Sequence, residues 1–226
     1  MKVYLDSAIA VSWALPPGCP PVQGVTTNPT LVRQAGLPVT LDTYTHLLRA
    51  ASDAGMPELM LQLPDPDSDA ALRWVDSLQT TAADARVVLT VKLPCHTDWL
   101  DCIRAVQSRN QAILLTGLSN PVQLLWAQSL NAQYVAPYIG RLVTDGRDVW
   151  PLMQACVAAQ TRGPALLAAS IKSHDVLARL LAMGAAAVTL PPASLIAWST
   201  DALTDAAISQ FDKDTEASQA FKPTEA

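Results

Sequence analysis

Eight residues near the middle of the chain, Val87–Pro94, have the sequence VVLTVKLP and decide the prediction of the fold. Six of the eight are apolar or β-branched and a proline closes the run, which predicts a fully buried β-strand. Lys92 is the exception, because burial disfavours its charged form and should lower its pKa from about 10.4. A neutral amine in a pocket is a nucleophile for carbonyl groups, but a lysine at a strand end can also simply reach solvent.

Apolar runs of this kind alternate with helical patterns along the whole chain. Eight strands are predicted, at Lys2–Asp6, Gly24–Asn28, Leu59–Leu63, Val87–Leu93, Ala112–Gly117, Gln133–Tyr138, Ala165–Ser170 and Ala186–Leu190. The helical patterns cover Ser7–Leu15, Leu41–Ala54, Asp67–Thr80, Thr97–Arg109, Pro121–Asn131, Asp148–Thr161, Ser173–Ala182 and Ala193–Phe211. Such alternation implies parallel pairing through right-handed crossovers. We therefore predict one α/β domain, a (β/α)8 barrel over residues 1–213, with an extra C-terminal helix and a polar tail over 214–226.

Composition and charge narrow the class of protein. The chain has 226 residues, half of them hydrophobic, which suits one domain with a large core. Fifteen basic against twenty acidic residues give a net charge of −5, which argues against a sequence-independent nucleic-acid binder. No apolar run is long enough to span a membrane and no secretory signal is visible, so a soluble cytoplasmic protein is expected. The scattered cysteines and histidines have no metal-ligand spacing, so no metal site is expected.

Polar residues follow the apolar bodies of seven of the eight predicted strands. In a (β/α)8 barrel the active site lies at the carboxyl ends of the strands. Buried polar groups need hydrogen-bond partners, so these side chains should converge on one another and on a ligand. The strand-end residues are Asp6, Thr27 with Asn28, Gln62, Lys92, Thr116, Tyr138 and Ser170, with Leu190 as the apolar exception.

Five motifs, in chain order, resemble the transaldolase family. They are Gly24–Val32 (GVTTNPTLV), Val91–Pro94 (VKLP), Tyr134–Arg141 (YVAPYIGR), Ala168–Lys172 (AASIK) and Val188–Pro191 (VTLP). The resemblance covers nearly the whole chain, and the short length is similar to the compact branch that includes fructose-6-phosphate aldolase. It implies metal-independent chemistry on sugar phosphates and dihydroxyacetone, with no cofactor. It also implies a homo-oligomer, a pentamer or decamer in which C-terminal helices pack on neighbours.

The same resemblance implies a role for each matching residue. Lys92 would form an imine with the donor ketone, and Asp6 would move protons around the reacting carbons. Asn28, beside Thr27, would bind a donor hydroxyl, although a residue before a proline can also be a turn residue only. The remaining roles would be a water held by Thr116, a donor contact at Ser170 and an acceptor phosphate bound by Arg141 with Lys172.

Three positions bear on the choice between an aldolase and a transaldolase. Larger transaldolases are similar to one another in having glutamate, phenylalanine and serine where this chain has Gln62, Tyr138 and Ala136. A tyrosine hydroxyl can orient a hydrolytic water, which phenylalanine cannot do. We therefore expect an aldolase that forms or cleaves fructose 6-phosphate. The alternatives are a transaldolase, a non-catalytic sugar-phosphate binder and a deoxyribose-phosphate-type aldolase.

The chain departs from the family pattern in two loops on the predicted catalytic face. His96 and Trp99 stand where the relatives carry a serine or threonine and a glycine. Ser119 stands where they carry an aromatic residue after the fifth strand. A loop histidine is more often structural than catalytic, and these changes bear on the acceptor more than on the imine.

Overall fold

The computed structural model describes residues 1–220, which contain a closed barrel of eight parallel strands. The strands are β1 (Lys2–Asp6), β2 (Gly24–Thr26), β3 (Glu58–Gln62), β4 (Val88–Pro94), β5 (Ile113–Leu118), β6 (Tyr134–Pro137), β7 (Ala165–Ala168) and β8 (Ala187–Leu190). Each strand pairs with the next, and β8 closes the barrel against β1. The predicted (β/α)8 barrel is confirmed, with strand ends that differ from the prediction by no more than two residues.

Helices cover the outside of this barrel. Within residues 1–220 they are α1 (Pro29–Gln34), α2 (Leu41–Asp53), α3 (Ser68–Ala85), α4 (Leu100–Gln107), α5 (Pro121–Ser129), α6 (Ile139–Thr144), α7 (Trp150–Ala159), α8 (His174–Met183), α9 (Pro192–Ala197) and α10 (Ala202–Ala220). The side chains of Asp67, Asn120 and Ser173 accept backbone hydrogen bonds and cap the starts of α3, α5 and α8. No helix in this part of the chain is long and apolar enough to cross a membrane.

The prediction of a first helix at Ser7–Leu15 is wrong. Only a 3-10 turn, Ala10–Trp13, forms there. Pro16 and Pro17 follow and cannot continue a helix, which leaves a segment too short to be stable. Local side-chain bonds also compete with helix formation, since the Ser7 hydroxyl accepts from the N–H of Ile9.

The last predicted helix, Ala193–Phe211, is two helices with a break between them. The Asp201 side chain accepts a bond from the N–H of Leu203 and starts α10 as a separate helix. Helix α10 confirms the extra C-terminal helix and continues past the predicted domain boundary at residue 213. The rest of the predicted tail, residues 221–226, lies outside the described residues, and the boundary itself stays a prediction.

A buried polar cluster occupies the amino-terminal end of the barrel interior. The Glu58 carboxylate accepts hydrogen bonds from the hydroxyls of Tyr4 and Thr90, both at 2.7 Å. The Tyr134 hydroxyl lies 3.5 Å from that of Tyr4. Burial, together with the bonds to Tyr134 and Glu58, raises the pKa of the Tyr4 phenol. A buried carboxylate is tolerated here because donors surround it.

Candidate active site

A cavity of about 160 Å³ opens at the carboxyl ends of the strands. Eight residues singled out from the sequence line it: Asp6, Asn28, Lys92, Ala136, Tyr138, Arg141, Ser170 and Lys172. The other lining residues are Thr30, Leu31, Leu167, Ala169, Ile171, Thr189 and Pro191. The eight residues lie at the ends of strands β1, β2, β4, β6 and β7 or directly after them, and they meet in one cavity as the strand-end pattern predicts.

Lys92 is buried within the cavity wall, with 5% of its surface exposed. Its Nζ donates a hydrogen bond of 2.8 Å to the backbone carbonyl of Thr27 on the neighbouring loop. Burial lowers the pKa of this amine from 10.5 to about 8, and the negative charge of Asp6 opposes that shift. The solvent-reaching alternative for Lys92 is therefore wrong, and more of this amine is neutral near physiological pH than of a hydrated lysine.

Asp6 ends strand β1 and is half-buried beside the cavity. Its Oδ1 accepts a 2.9 Å hydrogen bond from the hydroxyl of Thr26, which lies 2.7 Å from the hydroxyl of Thr189. The sequence analysis missed both threonines. Threonine is a common strand residue, so neither stood out from its apolar neighbours.

Tyr138 joins two other predicted residues at the edge of the cavity. The Thr116 hydroxyl donates a 2.6 Å hydrogen bond to the phenol oxygen, so the phenol's own proton remains available as a donor. The guanidinium carbon of Arg141 lies 4.7 Å from the centre of the Tyr138 ring, within the range of a cation–π contact. Burial raises the pKa of Tyr138, while the bond from Thr116 and the charge of Arg141 oppose that rise.

Three predicted site residues do not line the cavity. Thr116 is behind Tyr138, as described, and Thr27 and Gln62 lie beside Lys92. The Thr27 hydroxyl and the Gln62 Oε1 are buried and have no hydrogen-bond partner within residues 1–220. The hydroxyl of Tyr44 donates a 2.7 Å bond to the Gln62 backbone carbonyl and fixes this strand end. Unpaired buried polar groups of this kind are uncommon and often mark functional sites.

Arg141 and Lys172 give one side of the cavity a positive charge. Both side chains are exposed, and neither forms an ion pair within residues 1–220. Gly140 lets the start of α6 pack closely against Ser170, since a Cβ there would lie 2.7 Å from the carbonyl oxygen and the hydroxyl of Ser170. Ser170 itself has a φ of 61°, a strained value for serine that is often found at functional sites.

Asn28 has a structural role as well as a place in the cavity. Its Oδ1 accepts a 3.1 Å hydrogen bond from the N–H of Leu31 and caps helix α1. That bond uses only the side-chain carbonyl and leaves the amide N–H groups as donors.

The residues that depart from the family pattern lie outside this cavity. His96 caps a 3-10 turn through its Nδ1, and its side chain is 61% exposed. Trp99 packs against the hydrophobic core. Ser119 donates to the side-chain oxygen of Gln123, away from the residues that surround Lys92.

The fold and the site together define a (β/α)8-barrel protein with a buried primary amine in a polar cavity at the carboxyl ends of its strands. A sequence profile described as Transaldolase/Fructose-6-phosphate aldolase matches residues 68–225. The chain therefore belongs to the transaldolase/fructose-6-phosphate aldolase family. Membership makes it an enzyme of the aldolase or transaldolase type, so the non-catalytic alternative is wrong.

Curated relatives agree with this assignment along 95% of the chain. A probable transaldolase from Caulobacter vibrioides is 28% identical over 217 residues, which cover 95% of this chain and 96% of the relative. A probable transaldolase from Thermoplasma acidophilum is 26% identical over 223 residues, 95% of each chain. Among solved structures, 3-hexulose-6-phosphate synthase from Salmonella typhimurium has a TM-score of 0.59 at 12% identity. That match covers 88% of this chain and 98% of the other and supports the barrel fold alone.

Proposed function

We propose that the protein is a class I aldolase that forms and cleaves fructose 6-phosphate through an imine on Lys92. The products of cleavage are dihydroxyacetone and glyceraldehyde 3-phosphate. The observation that carries the proposal is the Lys92 amine, buried in the cavity with a pKa of about 8 and with Asp6 beside it. A neutral amine attacks a carbonyl, and a neighbouring carboxylate supplies acid–base catalysis.

In the cleavage direction, the neutral Lys92 Nζ adds to the C2 carbonyl of the ketose, and loss of one water with uptake of one proton gives a protonated imine. The Asp6 carboxylate then takes the proton from the C4 hydroxyl. The C3–C4 bond breaks and glyceraldehyde 3-phosphate leaves. The electron pair of that bond moves into the protonated imine, which becomes an enamine. Asp6 returns its proton to C3 of the enamine, and hydrolysis of the imine then releases dihydroxyacetone and restores Lys92.

Tyr138, Thr116 and Gln62 favour release over transfer in this scheme. Release requires a water near the imine carbon, whereas a transaldolase keeps the enamine until a second aldehyde arrives. The phenol proton of Tyr138 would be a donor to such a water, and the buried Gln62 Oε1, which has no partner within residues 1–220, would be an acceptor. Gln62 cannot titrate, so Tyr138, Asp6 or the amine would move the proton.

Transaldolase activity is the second candidate, and the curated relatives named as probable transaldolases favour it. The test is to supply fructose 6-phosphate and measure free dihydroxyacetone by a coupled assay, with and without erythrose 4-phosphate. The proposal predicts release without any acceptor, and Tyr138→Phe should suppress release more than imine formation. Dihydroxyacetone that appears only as a unit transferred into sedoheptulose 7-phosphate would establish the transaldolase instead.

We also propose that the protein forms a homo-oligomer through helix α10. This helix exposes three large apolar side chains, Leu203, Ile208 and Phe211, which are 83%, 52% and 65% exposed. A helix with so little cover from its own barrel is consistent with the packing between subunits that the family resemblance implies. Sugar phosphates as substrates and a cytoplasmic location remain predictions.

A further inference from the structure

We propose that Thr26 and Thr189 are positioning residues for Asp6 and form a two-hydroxyl chain that serves both protonation states of its carboxyl group. The inference rests on the proposed function, in which Asp6 accepts a proton and later returns it. Neither threonine contributes a reacting atom in that scheme.

The two threonines lie on the strands that flank β1. Thr26 ends β2 directly opposite Asp6. Thr189 lies on β8 opposite Tyr4, which is two residues before Asp6 in β1. Thr26 is 0% exposed and Thr189 is 2% exposed. The two threonine hydroxyl oxygens are 2.7 Å apart, and the Thr26 hydroxyl oxygen lies 2.9 Å from the Asp6 Oδ1. Both contacts are therefore hydrogen bonds of nearly fully buried hydroxyl groups, beside the cavity that Asp6 and Thr189 line.

The ionised form of Asp6 sets the direction of these bonds. A carboxylate can only accept, so the single proton of the Thr26 hydroxyl points to Asp6. The contact between the two threonines then requires Thr189 to donate to Thr26. The charged acceptor makes the bond from Thr26 stronger than a bond between neutral groups.

The protonated form of Asp6 reverses the same bonds without any movement of the backbone. The Asp6 O–H donates to Thr26, whose own proton turns to Thr189 or to the Leu5 carbonyl, 3.5 Å away. Thr189 lines the cavity, so its proton can turn towards a ligand. A hydroxyl is both a donor and an acceptor, which is why threonine fits these positions and valine, with the same shape, does not.

The test separates imine formation from proton transfer. In D2O, the enzyme should exchange the C–H hydrogens of dihydroxyacetone through the imine and the enamine, which NMR measures without an acceptor aldehyde. Thr26→Val should slow this exchange by about tenfold or more, the loss expected when a hydrogen bond to a charged group is removed. The extent of borohydride trapping on Lys92 at saturating dihydroxyacetone should stay at the wild-type level, and Thr26→Ser should restore the exchange.

Thr90→Val is the matched control, because Thr90 is also fully buried inside the barrel and donates to a carboxylate, that of Glu58. It should cost similar stability and leave the exchange rate unchanged. Thr189→Val should slow the exchange less than Thr26→Val, and the double variant should be no slower than Thr26→Val, because Thr189 acts through Thr26. If Thr26→Val does not fold, Thr189→Val carries the same test, with Thr189→Ser as its rescue.

Equal slowing by Thr26→Val and Thr90→Val would overturn the inference and leave the proposed function intact. So would failure of Thr26→Ser to restore exchange while wild-type labelling of Lys92 is normal. Separate defects that multiply in the double variant would also contradict it. A wild-type enzyme with neither exchange nor labelling at Lys92 would contradict the proposed function itself, and the inference with it.

Discussion

Burial and the charge of Asp6 have opposite effects on the pKa of Lys92. Burial in the barrel wall lowers its pKa from 10.5 to about 8, and the carboxylate of Asp6 limits that fall. A fully hydrated lysine would be almost entirely protonated at neutral pH and so a poor nucleophile. The site therefore combines an amine that is partly neutral with an acid–base group within electrostatic reach of it.

The first prediction is a pH dependence of imine formation. The neutral amine is the attacking form, so the rate of trapping dihydroxyacetone on Lys92 should rise with pH through a midpoint of about 8. Asp6→Asn removes a charge that raises the pKa of Lys92, so the midpoint should move to lower pH. Initial rates of labelling, measured from about pH 6 to about pH 10, check both points. A midpoint near 10.5, or one that does not move in Asp6→Asn, would contradict this account.

A second prediction concerns recognition of phosphate by Arg141. Arg141→Ala should raise KM for glyceraldehyde 3-phosphate by about one to two decades, the value of a charge-assisted hydrogen bond. It should raise KM for unphosphorylated glyceraldehyde far less. Arg147→Ala, a change to another exposed arginine outside the cavity, is the control. Equal weakening of both aldehydes would mean that Arg141 is structural, and the phosphate would then bind elsewhere, for example at Lys172.

The sequence predicted most of the cavity because polar residues at the ends of apolar strands are conspicuous. It could not identify Thr26 and Thr189, since threonine in a strand body is compatible with either face of a sheet. It also could not separate the residues that line the cavity from those behind them. Thr116 and Gln62 are at strand ends, but their access to the cavity depends on the side chains in front of them.

Among the secondary-structure elements, helix α1 begins at a residue that both stabilises the helix and lines the cavity. The Asn28 side chain caps α1 with its oxygen and lines the cavity at the same time. The helix has only six residues, too few to show a helical period, and the sequence analysis missed it and the equally short α6. The helix predicted at Ser7–Leu15 failed for the opposite reason. A helical pattern was present there, but two prolines and local serine hydrogen bonds prevented the helix.

The third prediction separates the two roles of Asn28. Aspartate is as good a helix cap as asparagine, so Asn28→Asp should preserve the melting temperature. It lacks the amide N–H groups, so kcat/KM for cleavage should fall at least tenfold, the loss expected for a hydrogen bond to a reacting substrate. Asn28→Ala should lose both activity and about 1 kcal/mol of stability. Full activity in Asn28→Asp would show that Asn28 is a turn residue only.

For the whole molecule, the sequence predicted the barrel because eight apolar runs of similar length alternate with helical patterns. The chain order of such units and the rule for right-handed crossovers leave few other topologies. The arrangement of subunits cannot be predicted from the sequence. Exposed apolar residues on α10 indicate a contact but do not identify the surface that covers them.

The fourth prediction tests that contact. Light scattering should give a mass several times that of the 24.1 kDa chain, and Phe211→Asp should reduce it, because a charge on this face cannot be buried cheaply. Val11→Asp is the control, since Val11 is 87% exposed but lies in the loop after β1. A wild-type monomer, or an unchanged mass in Phe211→Asp, would contradict the proposed role of α10.

Borohydride trapping followed by peptide mapping tests the central claim most directly. The chain has five lysines, and Lys172 also lines the cavity, so the position of the label distinguishes between them. Reduction in the presence of dihydroxyacetone or fructose 6-phosphate should attach one reduced donor to Lys92 and to no other lysine. Lys92→Met should abolish both the label and cleavage, whereas Lys172→Met should keep the label. No adduct in the wild type, an adduct on another lysine, or cleavage by Lys92→Met would contradict the imine mechanism.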